Sequence, residues 1–225
     1  MLKQFFLSAT GKSIVVLLVV CAFLFFLFYF KKDKNIFSTK ALTFSAVLIA
    51  IGIAVSQIKV FALPQGGSVT LFSMFFISYI GYMFGLRVGI VAGITFGLLK
   101  LIIKPDVYYP LQLVFDYIFA FGALGLSGFF VCKKNTLRTA YIISAFGRFV
   151  FAVFSGYVFF GSYAPKGWNP FIYSLWYNFS YIGPEAVITL IILSIPVIGG
   201  LFELSLIHIS EPTRPCLSSR MPSSA

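Results

Sequence analysis

Apolar residues in this chain come in long runs, separated by short stretches where Lys, Arg, Pro and Gly collect. The first run, 13–30, SIVVLLVVCAFLFFLFYF, is uncharged and long enough to cross a hydrocarbon core. No small-x-small site precedes the following KKDK, so a retained helix is expected rather than a cleaved signal peptide. Further spans are predicted at about 41–61, 70–85, 88–103, 109–130, 140–161 and 171–200. LPQGGSVT, 63–70, breaks the helical pattern with Pro and two Gly and reads as a loop on the outer side. Lys31, Lys32, Lys34, Lys40, Arg87, Lys133, Lys134 and Arg138 then fall on one side of the bilayer, against Lys3, Lys12, Lys104 and Lys166 on the other. The excess marks the cytoplasmic side, which puts the amino terminus outside and the carboxyl terminus inside the cell membrane.

Composition agrees. The chain is 60% apolar and 10% charged over 225 residues, with a mean hydropathy of +0.99, more apolar surface than a water-soluble domain could hide. A net charge of +11 raises the question of nucleic acid, but the cations sit in loops between apolar runs, where topology and anionic lipid headgroups account for them. Cys21, Cys132 and Cys216 form no CxxC pair and have no neighbouring His, so neither a disulfide framework nor a metal site is expected.

Three divisions follow: 1–40, an extra helix and basic loop; 41–202, the membrane domain; and 203–225, a polar tail. The tail, LSLIHISEPTRPCLSSRMPSSA from Leu204 onward, resembles translated sequencing-adaptor read-through, so His208 and Cys216 carry no functional weight and the natural protein is expected to end or diverge near Leu204.

Six acids occur, and Asp116 and Glu185 are the two inside predicted spans. A carboxylate at bilayer depth costs about 3 kcal/mol unless paired or hydrated, so each needs a reason to be there. Asp116 lies about two turns from the outer end of its span, among Phe115, Tyr117 and Phe119. It is either a counter-charge for a cationic ring or the internal partner of Arg148, and both hold if the empty protein pairs them. Glu185 follows Gly183 and Pro184; a Pro there frees a carbonyl and bends a helix, so Glu185 either floors a site or is satisfied by helix neighbours.

The stretch 163–181, YAPKGWNPFIYSLWYNFSY, reads as an interfacial loop feeding a helix, rich in rings and amides suited to a small flat polar solute. Tyr173 and Asn178 are five apart, about 140 degrees out of register, and share a pocket only if it wraps the helix end. On spacing alone, an interfacial belt and helix–helix amide bonding explain them better. Ala46, Ala50 and Ala54 repeat every four residues, which suits either packing within the bundle or a docking face; Gly89, Gly93 and Gly97 do the same and suggest tight helix contacts. Gly11-Lys12-Ser13 is no phosphate loop, since Phe6 occupies the required Gly position and no strand precedes it. The Asn178-Phe179-Ser180 sequon is a chance match within a span. With no HExxH, GxSxG or paired acids, catalysis is not expected.

LPQGGSVTLFSM, YPLQLVFDYIFAFGALGLSGFF and GRFVFAVFSGYVFFGSYAPKGWNPFIYSLWYNFSY, taken in order, resemble the thiamine-specific substrate-binding subunit, the S component, of energy-coupling factor transporters. The likeness covers about 40–200. It implies an all-α integral membrane protein, a six-helix bundle to which 13–30 adds one helix of no assigned role. It implies thiamine bound near the outer face, no cofactor, and a partner module of a transmembrane coupling protein with two cytoplasmic ATPases. By the same resemblance, the acidic ligand falls on Asp116 and its neighbour on Tyr117. The YSLxxN motif falls on Tyr173 and Asn178, a glycine and a ring-stacking position on Gly156 and Phe160, a basic position on Arg148, and the docking helix on Ala46, Ala50 and Ala54. Where some members carry a stacking His or Trp, this chain has Ala152 and Phe160, which bears on stacking and affinity. The alternatives from residue chemistry are an autonomous transporter or channel using Asp116 and Glu185 as an ion path, or an S component for riboflavin or hydroxymethylpyrimidine.

Overall fold

A computed structural model describes residues 38–63, 67–104, 110–131 and 136–202. The helix expected at 13–30, its basic loop and the tail 203–225 lie outside these residues, as do Lys133 and Lys134.

Helix α1, Thr39–Ser56, starts at a Ser38 cap whose hydroxyl accepts the Ala41 N–H at 3.1 Å. It ends earlier than the expected span, which ran to residue 61. Lys59–Ala62 instead forms strand β1, paired antiparallel with β2, Ser68–Thr70. The reason lies in composition: β-branched and aromatic residues precede a Pro-Gln-Gly-Gly break, so a hairpin competes successfully with two more helical turns.

Helix α2, Ser73–Phe84, is twelve residues, about 18 Å at 1.5 Å per residue and short of the roughly 30 Å of hydrocarbon. Ten of the twelve are buried, so α2 is the bundle's central strut, apolar on nearly every side. Helix α3, Leu86–Ile103, packs against it and against a segment we label α4, residues 110–130. The continuous helix expected there is instead wound in four parts: α-helical at Pro110–Leu113, π-helical at Val114–Phe119, α-helical at Ala120–Gly122 and 3-10 at Ala123–Phe130. Close approach explains part of it. A Cβ at Gly89 of α3 would stand 2.6 Å from the Gly81 Cα and 2.9 Å from the Gly125 Cα, so three glycines let α2, α3 and α4 meet backbone to backbone.

Helix α5, Leu137–Phe159, and helix α6, Pro170–Ser194, complete the bundle. Pro184 sits within α6 without ending it; the sharp bend, 92°, comes at Ile195 before the short helix α7, Pro196–Phe202. The span expected to run to 200 is therefore broken five residues early. Phe202 packs back on Phe75 at 4.8 Å and Tyr79 at 5.3 Å. Helices α1, α3 and α5 are each long and apolar enough to cross a membrane, and α6 with α7 makes a fourth candidate. Serines pin the interior: Ser78 of α2 and Ser144 of α5 share a hydrogen bond at 2.7 Å, and Ser127 of α4 donates to the Ser78 carbonyl.

A candidate binding cavity at one end of the bundle

The ends of α1, α3 and α5, the starts of α4 and α6, and the hairpin converge at one end of the bundle around a cavity of about 150 Å³. Asp116, Tyr117, Arg148, Gly156, Phe160, Tyr173 and Asn178, singled out from the sequence, all line it. Ala152 lines it too.

Asp116 belongs to the π-wound turn of α4. A π turn inserts an extra residue and re-aims the side chains that follow, a device common at functional sites. Asp116 is half-buried, and Gln112, Ser155 and Arg148 face its carboxyl. The buried Ser155 hydroxyl, close to the acid, makes no hydrogen bond of good geometry among the described residues, which leaves a polar atom there. The Arg148 guanidinium lies over the Phe121 ring at 4.4 Å, and the Phe121 ring stands 6.4 Å from that of Tyr117. The structure gives Arg148 this ring contact and no salt bridge to Asp116, so the ion pair weighed from the sequence is not the arrangement found. A cation–π contact satisfies a guanidinium at low dielectric without neutralising the acid.

The first turns of α6 bring Tyr173 and Asn178 to the same space despite their angular offset, because the cavity wraps the helix. Tyr173, Tyr177 and Tyr181 follow one another along one side with ring centroids 6.1 Å and 6.0 Å apart. Ser174 and Asn178 occupy the adjoining, buried side. Asn178 Nδ2 donates to the Ser174 carbonyl at 2.9 Å and reaches its hydroxyl at 3.3 Å, while Oδ1 accepts the Tyr181 hydroxyl at 2.7 Å. These bonds stay within α6; the link to α5 is made by Ser174 Oγ, which donates to the Val153 carbonyl at 2.7 Å.

Gly156 of α5 makes room for that contact. A Cβ there would collide with Ser174 Oγ and stand 3.1 Å from Asn178 Nδ2, so any side chain would push the two helices apart at the cavity floor. Phe160, between the end of α5 and the Gly161–Tyr163 turn, turns its ring to Tyr163 at 5.9 Å.

Sequence reasoning missed Thr70, Lys100, Gln112, Ser174, Tyr177 and Tyr181, which also line the cavity. The signal for the α6 group was present: Ser174, Asn178 and Tyr181 fall at i, i+4 and i+7, one helical face. For Thr70 there was none, since its placement depends on the unforeseen hairpin. Glu185 does not line the cavity; it is buried and satisfied by the β2–α2 junction, the second of the two roles weighed for it. Ala46, Ala50 and Ala54 face outward on α1, away from the bundle. Among the described residues no cluster of His, Cys, Asp and Glu could hold a metal.

The sequence profile of the family described as Thiamine transporter protein (Thia_YuaJ) matches residues 42–201. A protein named Thiamine transporter ThiT from Bacillus subtilis (strain 168) is 39% identical over 146 residues, 59% of this chain and 76% of that protein. A second, also named Thiamine transporter ThiT, from Lacticaseibacillus paracasei, is 32% identical over 131 residues, 51% of this chain and 63% of the relative. The solved structure of ThiT from Listeria monocytogenes superposes with a TM-score of 0.64 at 24% identity, covering 72% of this chain and 96% of that one, a likeness of fold. The profile match extends over well more than half of the sequence, and the chain belongs to the thiamine transporter protein family.

Proposed function

We propose that this chain is the S component of an energy-coupling factor transporter, capturing thiamine at the outer membrane face and passing it inward when two partner ATPases act through a transmembrane coupling protein. The observation that carries the reading is Asp116: a carboxylate on a π turn, facing a cavity walled by Tyr117, Phe121, Phe160, Tyr173, Tyr177 and Tyr181. Thiamine is a flat thiazolium cation joined to an aminopyrimidine. In this reading Asp116 offsets the cation where lipid surroundings would otherwise disfavour it, and Tyr117, Phe160 and Tyr173 stack on the rings. The Asn178 carbonyl keeps one lone pair beyond the bond from Tyr181 and can accept from the pyrimidine amino group. Arg148 shapes the wall through Phe121, and Gly156 leaves the clearance.

The outward face of α1 with Ala46, Ala50 and Ala54 supports a docking surface for the coupling protein, since small side chains let another membrane helix approach closely. Lipid covers the remaining apolar exterior. No catalytic step, cofactor or nucleic acid enters the reading. Glu185, its oxygens occupied by three donors, offers little to an ion path running from Asp116, the rival reading. The deciding experiment is mass spectrometry of the small molecule retained through purification, followed by calorimetric titration of the stripped protein. Thiamine, bound with a stoichiometry near one, is the expected result; retention of riboflavin or a bare pyrimidine, with no heat on adding thiamine, would overturn it.

A further inference from the structure

Glu185 lies midway along α6, 2% exposed, one residue after Pro184. Its Oε2 accepts the Thr70 hydroxyl at 2.9 Å; its Oε1 accepts the Ser73 hydroxyl at 2.9 Å and the Met74 backbone N–H at 3.1 Å. The three donors come from a junction more than a hundred residues earlier in the chain, where β2 ends and α2 begins. Helix α2 has no cap of its own: Phe72 precedes it and makes no side-chain capping bond. The α6 carboxylate supplies the missing acceptor and places negative charge at the positive end of the α2 dipole.

The same junction carries the wall of the cavity. Thr70 lines it, together with Gly67, Ser68 and Lys59 of the hairpin. Between Thr70 and Ser73 the chain passes through Phe72 at φ 62°, ψ 1°, a left-handed conformation rarely adopted by a residue with a bulky side chain. Such backbone persists where its surroundings over-determine it, and here Glu185 grips the residues on both sides. The hairpin meets α6 a second time, one turn nearer the cavity. A Cβ on Gly67 would lie 2.8 Å from Tyr181 Cδ1, so the hairpin backbone rests on that ring.

We propose that Glu185 is a positioning residue for the binding cavity. Its carboxylate holds Thr70, and through Thr70 the β1–β2 wall, in the ligand-facing arrangement without itself touching ligand. The inference rests on the reading of this cavity as the thiamine site, but half of its test needs no ligand.

The test uses the intact purified chain and Glu185→Gln, which keeps shape and one acceptor while removing the charge. In the ligand-free protein, hydrogen exchange followed by mass spectrometry is expected to quicken at least tenfold over 68–74, while the middle of α5 exchanges at the parent rate. Thiamine affinity by calorimetry is expected to weaken at least tenfold. Thr70→Val, which removes the hydroxyl that Glu185 accepts, is expected to quicken exchange over 68–74 as well, and the double variant to add nothing to Glu185→Gln alone. Parent-like exchange over 68–74 in Glu185→Gln would overturn the inference, and so would quickened exchange with parent-like affinity, which is the signature of a cap that stabilises α2 only. If Glu185→Gln does not fold, Thr70→Val decides by the same exchange measurement. A parent protein that takes up no thiamine defeats the vitamin reading instead, and the exchange result alone then decides for or against Glu185.

Discussion

Tyr181 donates its hydroxyl to Asn178 Oδ1 at 2.7 Å, three residues back along the same helix. With Nδ2 bonded to the Ser174 carbonyl and hydroxyl, that bond fixes which way the amide is turned. An otherwise ambiguous amide thereby becomes an oriented acceptor. Tyr181→Phe removes the donor and leaves the amide held only through its Nδ2 bonds to Ser174. A neutral hydrogen bond is worth about 0.5–1.5 kcal/mol, so thiamine affinity is expected to weaken about 2- to 10-fold with the fold intact. Affinity equal to the parent's in a calorimetric titration would take Tyr181 out of the site.

Asp116 is the electrostatic centre of the proposed complex. Two unit charges about 5 Å apart at an effective dielectric of about 20 interact by about 3 kcal/mol, roughly a hundredfold in affinity. Asp116→Asn is therefore expected to lose about two decades of thiamine affinity while eluting from size exclusion as the parent does. A loss smaller than threefold would show that the carboxylate does not face the cation.

Gly156 tests the cavity floor. Gly156→Val puts a branched side chain into the space held by Ser174 Oγ and Asn178 Nδ2. Overpacking of this kind costs about 1–3 kcal/mol. The expected outcome is a lower melting temperature together with loss of measurable thiamine binding; a variant that melts lower yet binds normally would place the ligand elsewhere in the cavity.

Phe160 offers a gain rather than a loss. An indole is a better partner for a cation than a phenyl ring, in a contact worth about 0.5–1 kcal/mol at an exposed site. Phe160→Trp is expected to tighten thiamine binding about 2- to 5-fold, read as slower dissociation in a stopped-flow chase. Weaker binding would argue that the ring at 160 closes the wall by its size and does not stack.

Ala50 separates capture from delivery. Its side chain points away from the bundle, so Ala50→Phe leaves the cavity untouched. In vesicles holding the coupling protein and ATPases, thiamine binding is expected to stay at the parent level and ATP-driven uptake to fall at least tenfold. Normal uptake would remove α1 as the docking face.

Much of this was legible along the chain. Apolar runs bounded by Lys, Pro and Gly located the helical segments, because hydropathy and helix-breaking residues act locally. The rarity of acids at bilayer depth drew attention to Asp116, since its cost there is intrinsic to the residue. The Ala46, Ala50 and Ala54 stripe followed from the four-residue spacing alone. Less local features were hidden. The end of α1 at Ser56 depends on pairing between 59–62 and 68–70, an interaction across a turn that helical periodicity does not register. The bend at Ile195 and the broken winding of α4 likewise depend on what packs beside them.

By itself the sequence determined that this is a membrane-embedded helical chain with one acid among rings near a span's end, since burial in lipid penalises each polar residue independently of its neighbours. Only the tertiary structure decided that Arg148 covers Phe121 and is not bonded to Asp116, that Tyr173 and Asn178 open on one cavity, and that Glu185 belongs to the β2–α2 junction. Those are choices among partners. They depend on which helix ends meet at which depth, and residues as far apart as Thr70 and Glu185 become neighbours only when the bundle closes.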